Sequence, residues 1–449
     1  MSGHYDEIAL QDYLDDPEAF PMRDALELHV AGCTSCRTLL GELRAFDAAL
    51  SSDALWELGA GSDEPPEAIR VLAEMLTRED TDAAELLGPL VTSPVSFRRA
   101  NIAAIPAMRT AGVVRKLCHE SRTLRERQPM HALVVADAAI AISDQLPAAR
   151  YPQALLDELR GDAWHERANV LRYLGRHGEA LDALDIAERA YSASPVAAYW
   201  IAIVEYSRAV VLVETEKLDD ALRLARKSAR IFRQFGEDER FVHAKILEAA
   251  VLFDRSRYRE ARDLFLGQLQ TAKNVGDATT LARLYLNIAN CQLRLNELQS
   301  ADVYFARALS LYEALGLETE RIRTRWSIGC LRIAAGDVAD GLARLREARR
   351  EFEELGARTD AALVTLDIAE ALLAGGTAEG AREAAELCGG LVHSFTAVGM
   401  TGNALTALGF LQEAFASGAV TPQLVRQVRE YLESHPDQHG TPFVPPTLN

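Results

Sequence analysis

The chain has 449 residues, of which 49% are hydrophobic and 25% charged, and its formal net charge is −18. A chain of this length exceeds the size at which one compact core usually persists, so we expect several domains or an elongated array. The acidic balance argues against direct nucleic-acid binding, because that affinity comes mainly from Lys and Arg side chains that neutralise phosphates.

The sequence carries no sign of membrane insertion or secretion. It contains no run of eighteen apolar residues, and its N-terminus is acidic, unlike a secretory signal. The six cysteines are too unevenly spread for a disulfide framework in a chain this long. We therefore expect a cytoplasmic protein without a membrane span.

Acidic residues are concentrated at the N-terminus. Residues 1–60 contain twelve Asp and Glu against three Arg, a net charge of −9. Such a segment would be attracted to a basic protein surface, although the same charges also suit a solvated helix face.

Apolar residues at helical spacing predict three helices in a head domain, residues 1–58. The first helix contains Ile8, Leu10, Tyr13 and Leu14, and the other two run from Arg23 to Val30 and from Thr38 to Leu50. The head is followed by residues 59–66, which contain two glycines and two prolines and are predicted to be a linker.

A candidate metal site lies between the second and third helices of the head. His29, Cys33 and Cys36 form an H-x3-C-x2-C pattern. Two thiolates in a C-x2-C turn can share one tetrahedral ion, and a histidine one helical turn upstream can reach the same point. Zn²⁺ accepts mixed nitrogen and sulfur ligands, whereas a redox pair or coincidence would explain the two cysteines alone.

The segment from Ala25 to Arg44 resembles the zinc-binding anti-sigma domain, a small helical module that binds bacterial sigma factors of the extracytoplasmic-function group. The resemblance covers roughly the first fifty residues. It implies a fourth ligand on the first helix, about twenty-five residues before the histidine of the motif, and His4 lies 25 residues before His29. Many members of that family continue into a membrane span, whereas this chain continues into repeats.

Residues 67–110 read as a helical cap or bridge, interrupted at Ser93-Pro94 and Pro106, and residues 111–433 as a repeat array. Two columns of small residues set a period of about forty: Ala168, Ala209, Ala249, Ala289, Gly329 and Ala369, and twelve places later Ala180, Ala221, Ala261, Ala301, Gly341 and Ala381. Small residues recur where two helices cross closely. Glycines at 236, 276, 316 and 356 predict turns between units.

The columns, together with an apolar position four places after the second, resemble the helix-turn-helix unit of the tetratricopeptide repeat in its forty-residue variant. We therefore expect an all-α fold, in which a small three-helix zinc-binding head precedes an α-solenoid of tetratricopeptide-like helix pairs. A disordered tail is expected at residues 434–449, where prolines are frequent.

In such an array the first helix of each pair lines the concave surface. Arg167, Arg208, Asn287 and Asn290 lie beside the first small column, and we expect them to bind a protein or peptide in the groove. Each of the four is equally explained by a solvated position or by contacts within the array.

The sequence contains no Walker loop, no G-x-G-x-x-G, no G-x-S-x-G and no H-E-x-x-H motif, so we expect no enzymatic activity. Two functions remain. The first is a regulatory protein whose zinc-binding head engages a sigma factor or a related transcription protein, and whose repeats bind a protein or peptide signal. The alternative is a repeat-based scaffold for complex assembly with a purely structural zinc head.

Overall fold

The structure is a computed structural model that describes residues 4–5, 9–10, 13–14, 20, 22–50, 67–91, 105–194, 196–391 and 403–434. The predicted linker and most of the predicted tail lie outside these residues. The chain forms two compact units, Met1–Ala244 and Lys245–Asn449.

The fold is all-α, with nineteen α-helices in the described part of the chain. They are α1 (Arg23–Gly32), α2 (Thr34–Leu50), α3 (Glu67–Val91), α4 (Ala111–Leu124), α5 (Pro129–Ser143), α6 (Gln153–Tyr173), α7 (His177–Tyr191), α8 (Ala197–Glu214), α9 (Leu218–Gln234), α10 (Asp238–Asp254), α11 (Tyr258–Val275), α12 (Ala278–Arg294), α13 (Leu298–Leu315), α14 (Glu318–Ala334), α15 (Val338–Glu354), α16 (Arg358–Ala374), α17 (Ala378–Gly389), α18 (Asn403–Ser417) and α19 (Pro422–Ser434). A short 3-10 helix, Pro106–Met108, precedes α4.

Successive helices pack as pairs, which confirms the predicted repeat. In the first unit α4 packs on α5, α6 on α7 and α8 on α9, and in the second unit the same holds from α12 with α13 to α18 with α19. The turns inside the pairs are short, so the two helices of a pair run antiparallel.

The small columns lie at the helix crossings. Ala289 and Ala301 are completely buried where α12 meets α13, and the large apolar residue four places on, Phe305, fills the space beside them. In the next pair both alanines are replaced by Gly329 and Gly341, and a Cβ on Gly341 would lie 2.8 Å from the carbonyl oxygen of Gly329. Helices α14 and α15 thus cross too closely for alanine.

At the C-terminal end of the array the columns shift. Ala381 is half-buried, while Gly380 and Ala384 of α17 are buried. On α18, Gly409 lies forty residues after Ala369 but is exposed, and Ala407 is buried instead.

Left-handed residues close the turns. The four glycines between successive helix pairs, at 236, 276, 316 and 356, have φ between +67° and +82°, a backbone conformation that glycine adopts without strain. A second left-handed position recurs inside the pairs and includes residues other than glycine: Gly175, Glu216, Ser256, Asn296, Gly336 and Gly376.

The segment between head and array includes a long helix, α3, that packs on α4. The buried Glu79 carboxylate accepts hydrogen bonds from the Tyr151 hydroxyl at 2.8 Å and from the backbone N–H of Gly112 at 3.3 Å, and Arg150 pairs with it at 2.5 Å. A side chain on Gly112 would meet the backbone of Glu79 at 2.3 Å. These contacts hold α3 against the first helix pair, whereas residues 92–104 of the predicted cap or bridge lie outside the described part of the chain.

A bulky side chain at a small column should wedge the helix crossing apart. We expect Ala289→Phe to lower the free energy of unfolding by about 1 to 3 kcal/mol, because Ala289 is fully buried between α12 and α13. Ala343→Phe on α15 makes the same change at an exposed position and should leave stability nearly unchanged. Equal denaturation midpoints for the two variants would contradict this helix crossing.

Candidate functional site

The turn between α1 and α2 fixes the positions of two cysteines. The backbone N–H of Cys33 closes α1 on the carbonyl of His29 at 2.8 Å. The guanidinium of Arg37 then donates to the last carbonyls of α1, at Val30 (3.2 Å) and Ala31 (2.7 Å). Because α2 begins directly after Cys33, Cys36 lies in its first turn. Both sulfur atoms are therefore held by a hydrogen-bonded helix junction.

The structure brings all four predicted metal ligands together. One donor atom from each of His4, His29, Cys33 and Cys36 lies within 4.8 Å of the other three. His4 Nδ1 is 3.2 Å from Cys33 Sγ and 3.7 Å from Cys36 Sγ. Ligands at ordinary Zn–N and Zn–S bond lengths, arranged as a tetrahedron, are separated by about 3.5 Å. The spacing of the donors thus fits one tetrahedral ion.

The surroundings of His29 point to the same centre. Its Nε2 atom is buried and makes no hydrogen bond of ordinary geometry to any described residue. Burying a polar nitrogen without a partner is unfavourable, and metal ligation would satisfy it. The ring is positioned by Tyr5, whose ring packs edge-on against it with a centroid separation of 5.2 Å.

The two thiols differ in acidity. The backbone N–H of Cys36 donates to the sulfur of Cys33 and is the largest cause of the lowering of the Cys33 pKa to about 6, with His4 also contributing. Burial raises the pKa of Cys36. Metal ions bind the thiolate, so Cys33 is the sulfur better prepared for ligation at neutral pH.

The core of the head is small. Among the described residues it is formed by four buried side chains, Leu10, Tyr13, Leu26 and Leu40, with partly buried neighbours around them. The Tyr13 hydroxyl donates to Glu27 at 2.9 Å. Four buried side chains provide little hydrophobic free energy for a domain of this size.

Two of the four predicted groove residues are engaged within the first unit. Arg167 pairs with Asp137 at 2.8 Å and lies over the ring of Trp164. Arg208 pairs with Asp185 at 2.7 Å and with Glu188 at 2.8 Å. Their positive charges are therefore balanced locally, which favours the interpretation of contacts within the array.

The other two predicted groove residues are half-buried on α12 in the second unit. Asn290 lines a cavity of about 990 Å³, whereas Asn287 is not part of its lining. The cavity is bordered by Phe253 of α10 and by residues of α12, α14, α16 and α19; the first four of these are first helices of consecutive pairs, and α19 is the last helix of the array.

Sequence analysis missed the polar cluster in the wall of this cavity. The Asp367 carboxylate accepts from the Trp326 indole N–H at 2.5 Å and pairs with Arg429 Nε at 3.0 Å. Asp367 occupies the same position in its repeat as Asn287 does two repeats earlier. The forty-residue period was therefore the signal that could have found it. Arg429 comes from α19, outside the clear repeats.

Comparison with known proteins finds a family model that matches part of the array. The tetratricopeptide repeat family matches residues 243–314. No curated protein matches the chain.

Three of the similar solved structures belong to other proteins with low sequence identity. The apo form of RapI is 16% identical, with a TM-score of 0.46 over 60% of this chain and 96% of that chain. A Rap protein complexed with competence and sporulation factor is 14% identical, with a TM-score of 0.47 over 81% and 99%. Aspartyl phosphate phosphatase F from Bacillus subtilis is 12% identical, with a TM-score of 0.46 over 86% and 100%. Similarity at this level carries no argument about binding or catalysis.

Among the helices in the described part of the chain, none is both long and apolar enough to cross a membrane.

Proposed function

We propose that this chain is a non-enzymatic regulatory protein in which a zinc-stabilised head binds another protein and the repeat array binds a protein or peptide. The observation that carries the proposal is the convergence of His4, His29, Cys33 and Cys36 on one point. Zn²⁺ held there would join the N-terminal segment to α1 and α2, and so hold the head in one conformation for a partner.

The partner proposed for the head is a sigma factor of the extracytoplasmic-function group. Support comes from the resemblance of residues 25–44 to the zinc-binding anti-sigma domain and from the charge of residues 1–60. On α1, Leu28 is 79% exposed and lies one helical turn after Asp24. An exposed leucine on an acidic surface suits a basic partner with an apolar pocket.

Purified sigma factors of this group, taken from the genome that encodes the chain, test the proposal by surface plasmon resonance. We expect one of them to bind the full-length protein and to lose about ten-fold or more in affinity with the double variant Cys33→Ser, Cys36→Ser. Leu28→Ala should weaken binding while keeping the metal, which separates partner contact from folding of the head.

The alternative is a scaffold whose zinc head is purely structural. It predicts that none of the sigma factors binds, and that a partner of the array binds the wild type and the double cysteine variant equally. That result would contradict the sigma-factor proposal and leave the repeat array as the functional part.

A further inference from the structure

The cavity in the second unit combines apolar walls with charges that neutralise one another. Its walls include Leu286, Leu293, Ile333 and Leu363, contributed by three different helices. Such a surface can hold an apolar side chain, and a volume of about 990 Å³ is at the upper end of the range of ligand pockets.

Three acidic groups line the cavity, and each has a cationic partner. Asp367 is paired with Arg429, as described above. Arg323 Nε lies 3.0 Å from Asp360, and Arg426 contacts Glu370. Paired in this way, these six side chains give the cavity no net charge of their own.

Arg294 at the C-terminal end of α12 is the remaining cation of the lining. It is exposed, and within the described part of the chain it makes no ion pair. Asn290 lies one helical turn before it on the same face of α12, and Ser327 of α14 also borders the cavity. A guanidinium, an amide and a hydroxyl thus face the same space.

We infer that this cavity binds a short peptide segment that inserts an apolar side chain between α12 and α14 and places a neighbouring carboxylate on Arg294. The inference rests on the proposed peptide-binding function of the array. The guanidinium can donate two parallel hydrogen bonds to a carboxylate, and the Asn290 amide can both donate to and accept from a peptide backbone.

The charge of the whole protein limits how acidic the ligand is. A net charge of −18 repels a long acidic tract, whereas the single cation Arg294 balances one carboxylate. The ligand is therefore an apolar segment with one acidic residue.

Synthetic heptapeptides test the inference on the full-length protein. Each probe carries one Leu or Phe followed by one Asp or Glu, and each is paired with a copy in which Asn or Gln replaces the acidic residue. Fluorescence anisotropy of labelled probes gives the affinities. We expect acidic probes to bind and their amide copies to bind about ten-fold more weakly or worse.

Two variants locate the binding site. Arg294→Ala should weaken acidic probes about ten-fold and bring them level with their amide copies, whereas Arg294→Lys should retain part of the preference. Ala334→Phe should weaken binding of both kinds of probe, because Ala334 lines the cavity and a phenyl ring there would occupy part of the space that the probe needs. Arg259→Ala removes an exposed cation outside the lining and should change nothing.

The outcomes separate this inference from the proposed function. Probes that bind but ignore both Arg294→Ala and Ala334→Phe would overturn the inference and leave peptide binding by the array intact. Equal binding of acidic probes and amide copies would overturn the role of Arg294. Failure of every probe to bind would contradict peptide binding by the array as well.

Discussion

The double variant Cys33→Ser, Cys36→Ser is expected to lose one equivalent of Zn²⁺ and to unfold the head while the repeat array keeps its melting temperature. In zinc-finger peptides, apparent binding free energies of structural Zn²⁺ are about 10 to 16 kcal/mol, and this free energy is coupled to folding. Among the described residues of the head, the apolar core that could replace that contribution is small, with Leu10, Tyr13, Leu26 and Leu40 at its centre. Elemental analysis gives the stoichiometry, and hydrogen exchange of residues 23–50 reports the unfolding.

Two further variants make this test specific. Ser35→Ala changes an exposed residue between the two cysteines and should keep both the metal and the protected amides. His4→Ala removes the ligand that comes from outside the motif, so it should weaken zinc binding without abolishing it, because three ligands remain. Stoichiometric zinc in the double cysteine variant would show that the metal site is elsewhere or absent.

The helical repeat was predictable because helix crossings restrict residue size. Wherever two helices of the array approach closely, only small side chains fit, and this restriction produces a period that can be read directly from Ala289 and Ala301 and their counterparts. The left-handed positions inside the pairs were not predictable in the same way. Glu216, Ser256 and Asn296 occupy them with positive φ, and no shared residue type marks the column.

The candidate metal site was predictable from local sequence only in part. His29, Cys33 and Cys36 are close in sequence, so their spacing alone placed them together. His4 is separated from Cys33 by 29 residues, and no local pattern fixes the 3.2 Å that the structure shows between them. The resemblance to a family supplied that ligand, and the structure places it where a fourth donor is required.

The groove residues stay a prediction, and sequence alone could not show their ion pairs because such pairs between helices depend on which faces meet. Arg208 was chosen for its place beside the small column, yet its partners Asp185 and Glu188 come from the preceding helix α7. Conversely, Arg294 lies only four residues after Asn290 but has no partner in the described part of the chain. Sequence spacing gives the helix face, and only tertiary packing shows which charges are already neutralised.

A buried polar cluster of the first unit leads to a prediction about acid stability. His165 Nε2 lies 2.7 Å from the Ser207 hydroxyl, and burial lowers the pKa of His165 to about 4. On the same helix, α6, Asp162 accepts a hydrogen bond from the Tyr191 hydroxyl at 2.6 Å, and burial raises the pKa of Asp162 to about 6. The two groups therefore titrate in reversed order in the folded protein.

The charged neighbours of these two groups act in both directions. Glu166 raises both pKa values, whereas Arg122 lowers both, and Arg125 and Arg240 also lower that of His165. Burial is nevertheless the largest cause at each site, so the two shifts have opposite signs because one group is a base and the other an acid.

The signs of the two contributions to stability follow from proton binding. Below pH 6.5 the unfolded chain binds a proton at His165 that the folded chain does not bind until about pH 4, so this residue lowers stability as the pH falls. Asp162 binds a proton in the folded chain near pH 6, well above its ordinary value of 3.8, so it raises stability over the same interval. In the wild type the two contributions largely cancel.

Replacing one of the two residues should reveal the pH-dependent contribution of the other to stability. We expect His165→Gln to be more stable relative to the wild type at pH 4.5 than at pH 7.5, by about 1 to 3 kcal/mol, because both side chains keep some contact with solvent that screens the full shift. Asp162→Asn should show the opposite trend, with its relative stability higher at pH 7.5. Urea denaturation followed by tryptophan fluorescence measures both, and His119→Gln, which removes an exposed histidine on α4, controls for the loss of an imidazole. A stability difference for His165→Gln that does not change with pH would show that the imidazole of His165 is not kept neutral by burial in the folded protein.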